Sequence, residues 1–298
     1  MERAQGTDSV SIVIPTGGRS RYVERLLDDL AQLDGGLGQV EALVVDDAWS
    51  EELRHLVDRA AARSPFPLRY VKRDGRPGLN PARNTGIAST RGQVIVFLDD
   101  DCRVPETWLR ALWEGIDAAP EAEAFGGPIH LVLPPHPRWC RRCHFPVTSL
   151  DRGTSDRWVD VVYGANFGVR RSAIERIGPF NEAHGPQGDE IEWLLRLRDG
   201  GGMVRYVAAA SVGHAREADD VRLGVLLRTE FKRGLNGELL YGAGPAPHRL
   251  RLAARVVKRL GHAVSRRCLI GVVQAAGALG ALVGSLCPAR ARRGGASG

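Results

Sequence analysis

The sequence lacks the features that define several protein classes. Residues 1–9 (MERAQGTDS) are polar and contain no apolar segment of the signal-peptide type, and no Asn-x-Ser/Thr site occurs. Five cysteines are an odd number, which argues against a disulfide framework and favours a reducing compartment. No Gly-Lys pair exists, so a P-loop is excluded, and no G-x-G-x-x-G follows the first apolar segment, which argues against a nicotinamide dehydrogenase. We therefore expect a cytoplasmic protein outside these two nucleotide-binding classes.

The composition is that of a folded, soluble protein. The 298 residues, 43% hydrophobic and 26% charged, can bury a full core in one large domain or two small ones. The net charge is +6 and the pI is near 9.4, but much of the excess lies in basic runs of the C-terminal part. That part has almost no aromatic residues to interleave with the cations, so we do not expect nucleic-acid binding.

Apolar segments alternate with segments of helical periodicity through the first 120 residues. Four segments have the composition of buried strands: Val10–Pro15, Val40–Asp47, Leu68–Val71 and Val94–Leu98. Four others have helical spacing: Arg19–Leu33, Glu51–Arg63 after the N-cap candidate Ser50, Pro81–Thr90, and Pro105–Ala119, in which Trp108 would face the core. This alternation predicts an α/β fold with a mostly parallel sheet and helices on both faces.

Two of these strands end in carboxylates. Val94–Leu98 leads directly into Asp99–Asp101, and the second strand ends in Asp46 and Asp47. Adjacent carboxylates repel one another unless a cation or polar ligand compensates, although an isolated triplet could also be a solvated turn. The carboxyl ends of parallel strands share one sheet edge, where ligands bind. Such an edge suits a ribose or other polyhydroxyl ligand together with a hard divalent cation.

The middle of the chain is less regular. Gly126–Asp160 is rich in proline and predicts a long loop of the kind that often forms a lid or a binding loop. It contains Cys140 and Cys143, but no second Cys/His pair follows at zinc-finger spacing, so we expect a free thiol pair.

Further candidates lie between residues 160 and 215. Asp189 and Glu190 follow a glycine and begin a helix, where carboxylates are favoured by the helix dipole. Asp189 could be only a cap, whereas Glu190 is suitably placed for a general base. Met203–Gly213 reads as a final strand that ends at His214, and a lone histidine there is most simply structural or solvated.

The C-terminal part changes character. Leu250–Arg267 predicts a basic amphipathic helix, and Cys268–Cys287 has 20 residues without a charge. That length suits a membrane span, but the segment could equally lie in the membrane interface or pack on a partner helix through Gly280-x-x-x-Gly284. We expect membrane-surface association, with one domain at 8–247 and a basic helical tail at 248–298.

Taken together, the motifs resemble those of the family 2 glycosyltransferases, which have the GT-A fold. The resemblance extends from Val10 to Gly234. It rests on six motifs in order: Ser11-Ile-Val-Ile-Pro-Thr16, Val44-Val-Asp-Asp47 with Ser50, Ala82-Arg-Asn-x-Gly86, Phe97-Leu-Asp-Asp-Asp101, Gly164-Ala-Asn166 with Arg170-Arg171, and Gly188-Asp-Glu190 with Arg196. Two positions depart from the family pattern. The pair before Arg196 is Asp-Glu where Glu-Asp is commoner, and Gly17-Gly18-Arg19 replaces the usual Asn or Tyr-x-Arg.

The resemblance implies a set of site residues. Residues that would bind the nucleotide sugar are Pro15, Thr16, Asp46, Asp47, Arg83, Asp99 and Asp100. Those that would hold Mn²⁺ or Mg²⁺ are Asp99, Asp101 and His214, and those on the acceptor side are Gly164 and Asn166. Glu190, or else Asp189, would be the catalytic base.

The implied activity is an inverting transfer of a sugar from a nucleotide-diphosphate donor, with UDP as the default, to a hydroxyl of a saccharide, lipid-linked or small-molecule acceptor. The protein would be cytoplasmic and peripheral on the inner face of the cell membrane. A nucleotidyltransferase is a rival, but it would need a glycine-rich loop with a lysine after the first strand, which is absent. A catalytically inactive glycan- or nucleotide-sugar-binding partner protein of the same fold is the remaining alternative.

Overall fold

The computed structural model describes residues 9–33, 39–183, 189–241 and 246–286. The chain divides into two compact units. The first is built from residues up to Val132 together with Thr148–Ala215, and the second from Leu133–Val147 together with the chain from Arg216 onwards. Residues 216–247, which we expected in the first domain, thus group with the C-terminal helices. Gly188 and Cys287 lie outside the described residues, as do residue 8, where the predicted first domain begins, and residue 298, where the predicted tail ends.

The first unit alternates strands and helices, as the sequence predicts. Its strands are β1 (Val10–Thr16), β2 (Val40–Asp46), β3 (Leu68–Lys72), β4 (Val94–Phe97), β5 (Cys102–Arg103), β6 (Ala122–Gly126), β7 (Ile129–Val132), β8 (Arg157–Val159), β9 (Phe167–Arg170), β10 (Met203–Tyr206) and β11 (Val212–Ala215). Its helices are α1 (Ser20–Leu30), α2 (Glu51–Ala61), α3 (Leu79–Ser89), α4 (Trp108–Asp117), α5 (Arg171–Ile177) and α6 (Asp189–Asp199), with a 3₁₀ turn at Gly164–Asn166.

Eight strands form the main sheet in the order β3-β2-β1-β4-β9-β6-β10-β8. The pairs β3-β2, β2-β1, β1-β4 and β6-β10 are parallel, whereas β9 and β8 are antiparallel to their neighbours. Every residue of β1 and β4 is buried, as expected for apolar strands covered on both faces. Trp108 is fully buried in the core, and the side chain of Ser50 caps α2 by accepting from Leu53 N at 3.1 Å. The predicted mostly parallel α/β fold is therefore confirmed.

Two irregular regions differ from the prediction. The single strand expected over Met203–Gly213 is wrong, because the chain turns after Tyr206 and enters a second, three-stranded sheet of order β5-β11-β7. The predicted long loop at Gly126–Asp160 contains the short strands β7 and β8. The turn has a consequence for the site, since it places His214 opposite Cys102 in β5, next to the acidic triplet.

The described part of the second unit contains three helices, α7 (Leu223–Tyr241), α8 (Ala246–Ser265) and α9 (Leu269–Leu286). Helix α9 packs on α7 through its glycines. A Cβ atom added to Gly280 would lie 2.0 Å from the Phe231 carbonyl oxygen, and one on Gly284 would lie 2.7 Å from that of Leu235. Among the described helices, α9 is the one long and apolar enough to cross a membrane, with a mean hydropathy of 1.9, but half of it is buried within the protein. Gly280-x-x-x-Gly284 therefore packs on another helix of the same chain, α7.

The second unit also holds a cluster of four side chains that can bind a metal, three cysteines and one histidine. Cys140 and Cys143 lie beside His262, in the last turn of α8, and Cys268, which directly precedes α9. Cys140 and Cys143 are free thiols, as expected, and a histidine and a third cysteine from a distant part of the sequence lie beside them.

Candidate active site

The acids of β2 and β4 lie at one edge of the main sheet. Thr16, the last residue of β1, is the register partner of Asp46 in β2, and the backbone N–H of Asp47 donates to the Thr16 carbonyl at 2.9 Å. On the other side, Thr16 Oγ1 donates to Asp100 Oδ2 at 2.6 Å. Thr16 is therefore the residue that joins the two acidic strand ends. Pro15 is buried inside β1, directly before Thr16, and its predicted contact with the nucleotide sugar stays a prediction.

Three metal-binding side chains converge beside this edge. The ligand atoms of Asp99, Asp101 and His214 lie within 4.8 Å of one another. His214 Nε2 is 2.9 Å from Asp101 Oδ1 and 4.0 Å from Asp99 Oδ2. The backbone N–H of Ala215 donates to the Asp101 carbonyl at 2.9 Å, which fixes β11 against the acidic loop.

The surroundings of His214 orient its ring. Its Nδ1 lies 2.9 Å from the Thr148 carbonyl oxygen, and it can make this contact only by donating a proton. In the neutral ring, Nε2 then presents its lone pair to the two carboxylates. Lone pair and carboxylate repel unless a proton or cation lies between them, and a histidine oriented by a backbone carbonyl is the usual arrangement of a metal ligand. The donor set, two carboxylates and one imidazole, fits Mn²⁺ or Mg²⁺.

Arg19 was not predicted as a site residue. In the sequence it stood out only as part of Gly17-Gly18-Arg19, which departs from the family pattern. Its guanidinium forms an ion pair with both oxygens of Asp100 and contacts Asp101 Oδ2 at 2.8 Å. Gly18 precedes it with φ +85°, and a Cβ there would lie 2.8 Å from Ala48 Cβ, so this turn requires glycine. The Gly17-Gly18 pair after β1 indicates a sharp turn in the sequence. This turn places the side chain of Arg19 at the acidic edge of the sheet.

The charges at this edge perturb one another. Burial raises the pKa of Asp100 to about 6, although the Arg19 guanidinium opposes this rise. Burial works against a charged Arg19, but Asp100 and Asp101 outweigh it and raise the pKa of the guanidinium. Arg19 therefore remains charged and offsets part of the repulsion within the triplet.

The other predicted nucleotide-binding acids have different surroundings. Asp46 is fully buried and accepts from Ala48 N at 2.8 Å, Ser50 N at 2.7 Å and Tyr70 Oη at 2.8 Å. The burial of Tyr70 is the main cause of a raised pKa for its hydroxyl, and the Asp46 carboxylate raises the pKa further. Asp46 therefore organises the loop after β2, and it has no exposed edge to offer a nucleotide. The predicted contact of Asp46 or Asp47 with the nucleotide stays a prediction.

Asp47 lies beside the loop that precedes α3. Its carboxylate accepts from Arg73 Nε at 2.6 Å and from Gly78 N at 2.5 Å. It is partly exposed, unlike Asp46.

A second cluster joins Arg83, Gly164 and Glu190. Arg83 is buried, with its guanidinium carbon 5.8 Å and 5.4 Å from the ring centroids of Phe97 and Phe180. A Cβ atom on Gly164 would lie 2.2 Å from Arg83 Nη2 and 3.6 Å from Glu190 Cδ. Gly164 thus allows the guanidinium and the first turn of α6 to approach. Of the two candidate bases, Glu190 belongs to this cluster, while the side chain of Asp189 lies outside the described residues.

Asn166 is hydrogen-bonded within the protein on both sides of its amide. It is buried, its Nδ2 donates to the Ala210 carbonyl at 2.7 Å, and its Oδ1 accepts from Trp108 Nε1 at 3.3 Å. These bonds hold the turn between β10 and β11. The structural role of Asn166 follows from these bonds, and its predicted place on the acceptor side stays a prediction.

Comparison with known proteins extends these observations. The model of the family described as Glycosyl transferase family 2 matches residues 11–178. The chain is 24% identical to glycosyltransferase AglE of Haloferax volcanii over 225 residues, which cover 76% of this chain and 71% of that protein. It is 25% identical to succinoglycan biosynthesis protein ExoM of Rhizobium meliloti over 234 residues, which cover 78% of this chain and 75% of that protein.

Solved structures show the same fold. Mannosyltransferase PcManGT from Pyrobaculum calidifontis, in complex with GDP-Man and Mn²⁺, superimposes with a TM-score of 0.63 over 94% of this chain and 87% of its own, at 17% identity. GalNAc-T7 with UDP, GalNAc and Mn²⁺ has a TM-score of 0.60 over 80% of this chain, at 17% identity, and this chain spans about half of its length, 51%. At such identities the similarity establishes the fold, which is the expected GT-A fold.

Proposed function

Because this chain belongs to glycosyl transferase family 2 and is a glycosyltransferase, we propose that it moves a sugar from a nucleotide-diphosphate donor to an acceptor hydroxyl with the help of a divalent cation. The observation that carries the proposal is the convergence of Asp99, Asp101 and His214 at the carboxyl edge of the sheet. Three ligands from two separate segments, one with its tautomer set by a backbone carbonyl, would suit a divalent cation that binds beside the donor's diphosphate.

The residues in and around the acidic triplet Asp99–Asp101 would bind different parts of the donor. Asp99, Asp101 and His214 would hold Mn²⁺ or Mg²⁺, and the cation would supply positive charge that makes the diphosphate a better leaving group. Thr16 and Asp47 face the nucleotide from the ends of β1 and β2. Arg19 remains charged beside Asp100, and its guanidinium is half-exposed. We infer that it exchanges its carboxylate partners for a phosphate oxygen when the donor binds.

Glu190 is proposed as the catalytic base. It stands in the first turn of α6, next to Gly164 and Arg83. A carboxylate in this position can take the proton of the acceptor hydroxyl as that oxygen attacks the anomeric carbon. One base and one displacement imply inversion of the anomeric configuration. The buried Arg83 guanidinium and the Glu190 carboxylate both lie beside Gly164, so the guanidinium is placed to orient the carboxylate.

The donor is proposed to be a UDP-sugar, from the family resemblance. GalNAc-T7 was solved with UDP, whereas PcManGT was solved with GDP-Man, so both nucleotides belong in a first screen. We propose a saccharide, lipid-linked or small-molecule hydroxyl as the acceptor.

Helix α8 supports a proposed location at the inner face of the cell membrane. Leu250, Val257 and Val264 are spaced by seven residues on one face, with exposed fractions of 72%, 71% and 80%. The helix carries five Arg or Lys residues and no Asp or Glu. An exposed apolar stripe with cations beside it is typical of helices that lie in an anionic membrane interface, where each cation contributes about 1 kcal/mol.

A donor-hydrolysis screen tests the proposal. The full chain is incubated with UDP- and GDP-sugars, with Mn²⁺, Mg²⁺ or a chelator, and the release of nucleoside diphosphate is measured. We expect release from one donor that stops when the metal is chelated. Donor binding without release, also in the presence of a panel of acceptors, would favour an inactive binding protein. Equal release with and without metal would contradict the assigned role of the triplet.

A further inference from the structure

The second unit brings together four side chains that are distant in the sequence. Cys140 and Cys143 come from the segment Leu133–Val147, which the structure describes throughout and which forms neither helix nor strand. His262 lies in the last turn of α8, and Cys268 directly precedes α9. Their sequence separations reach 128 residues.

The distances fit a tetrahedral metal site. The three Sγ atoms and one imidazole nitrogen lie within 4.8 Å of one another. Cys140 Sγ is 3.1 Å from His262 Nε2, and Cys143 Sγ is 4.0 Å from Cys268 Sγ. Zinc–sulfur bonds of about 2.3 Å and zinc–nitrogen bonds of about 2.0 Å place neighbouring ligand atoms of a tetrahedron roughly 3.5 to 3.8 Å apart. The observed separations bracket this range.

The backbone around the sulfurs is arranged as it is around metal thiolates. The N–H of Cys140 donates to Cys268 Sγ at 3.4 Å. Such a bond stabilises the thiolate form, which is the form that binds a metal. Two non-glycine residues adopt positive φ beside the ligands, Arg141 at 59° and Arg267 at 48°. Such conformations are rare for residues other than glycine, and each of the two directly follows a cysteine of the cluster or directly precedes one.

Charge and packing also support a bound cation. One Zn²⁺ with three thiolates and a neutral imidazole carries a net charge of −1. Arginines adjoin the ligands in the sequence, at 141 and 142 and again at 266 and 267. Cys143 and Cys268 are buried, and Trp139 Nε1 donates to the Cys143 carbonyl at 2.6 Å, so half of the donor set is shielded from water.

We propose that Cys140, Cys143, His262 and Cys268 bind one zinc ion. All four coordination positions come from the protein, which is typical of a structural site without an open position for chemistry. Bound there, zinc would fix the irregular segment Leu133–Val147 to the turn between α8 and α9. The site is separate from the acidic triplet and does not depend on the proposed glycosyl transfer.

Metal content tests the proposal directly. The full chain is produced with supplementary zinc, its purification tag is removed, and zinc per chain is measured by plasma mass spectrometry. We expect one zinc per wild-type chain and its loss in Cys140→Ser/Cys143→Ser. Two controls should keep the zinc: Cys102→Ser, which changes a buried cysteine in the first unit, and Asp101→Asn, which changes the other metal cluster.

A second measurement does not depend on a variant that folds. After exchange of wild-type protein into Co²⁺, thiolate-to-cobalt charge-transfer absorption and the d–d bands of tetrahedral cobalt should appear, and zinc should abolish both. Wild-type protein without zinc, with Cys143 and Cys268 joined as a disulfide in its non-reduced peptides, would overturn the proposal. So would zinc content that Cys140→Ser/Cys143→Ser leaves unchanged.

Discussion

Asp101→Asn is the sharpest test of the acidic triplet. Asp101 is buried, with one oxygen 2.9 Å from His214 Nε2 and the other 2.8 Å from Arg19 Nη1. Asparagine has nearly the same shape, so packing is retained while one of the two carboxylates in the metal cluster is lost. Arg19 keeps its ion pair with Asp100, so the guanidinium remains compensated.

The expected loss of metal affinity is large. Removing a residue that only orients a metal ligand already costs about 10–100-fold in affinity. Removing a ligand that also carries a charge should cost at least the upper value, about 100-fold or roughly 2.7 kcal/mol. The amide also offers either a neutral oxygen or an NH₂ group, and the latter repels a cation.

Mn²⁺ affinity is measured on the full chain from the electron paramagnetic resonance signal of free Mn²⁺. Mn²⁺ prefers oxygen ligands, so the cysteine cluster does not compete for it. Glu190→Gln is the matched control, because it also replaces an acid by its amide but lies outside the metal cluster. A folded Asp101→Asn protein with the Mn²⁺ affinity of wild type would refute our reasoning about this site.

Three further predictions concern other parts of the chain. Glu190→Gln should bind donor as wild type does but lose at least about 100-fold in transfer, since general bases contribute about 10²–10⁴-fold; calorimetry and turnover measure the two effects. Gly164→Ala should displace Arg83, because the new Cβ would lie 2.2 Å from its Nη2, and should lower both transfer and the free energy of unfolding, the latter by about 1–3 kcal/mol. Val257→Glu/Val264→Glu should release the protein from anionic vesicles, because it places two charges in the exposed stripe of α8.

Each of these predictions has a control and a contrary outcome. Wild-type turnover in Glu190→Gln would remove that residue as the base. Gly168→Ala adds the same methyl group at a position where the nearest atom is 3.5 Å away, so it should leave transfer nearly unchanged. Met203→Glu adds a charge at an exposed apolar residue of the first unit. Vesicle binding lost equally in this variant, or retained in the double variant, would contradict the role of α8.

Much of the fold could be predicted from local pattern. The buried strands β1 and β4, the cap of Ser50 and the core position of Trp108 follow from apolar periodicity and hydrogen bonding between near neighbours. The carboxylates at the ends of β2 and β4 could be placed at one edge because parallel strands share their direction. These features depend on residues within a few positions of one another, or on a rule that holds for every parallel sheet.

Only the tertiary structure decided which distant side chains meet. His214 reaches Asp101 because the chain leaves the main sheet after β10, and Arg19 reaches Asp100 through a turn at Gly18. In the second unit, Cys140 and Cys143 lie close to His262 and Cys268, and no spacing pattern in the sequence predicts this contact. Such contacts depend on how helices and strands pack over long separations, and periodicity within a segment carries no information about its neighbours in space.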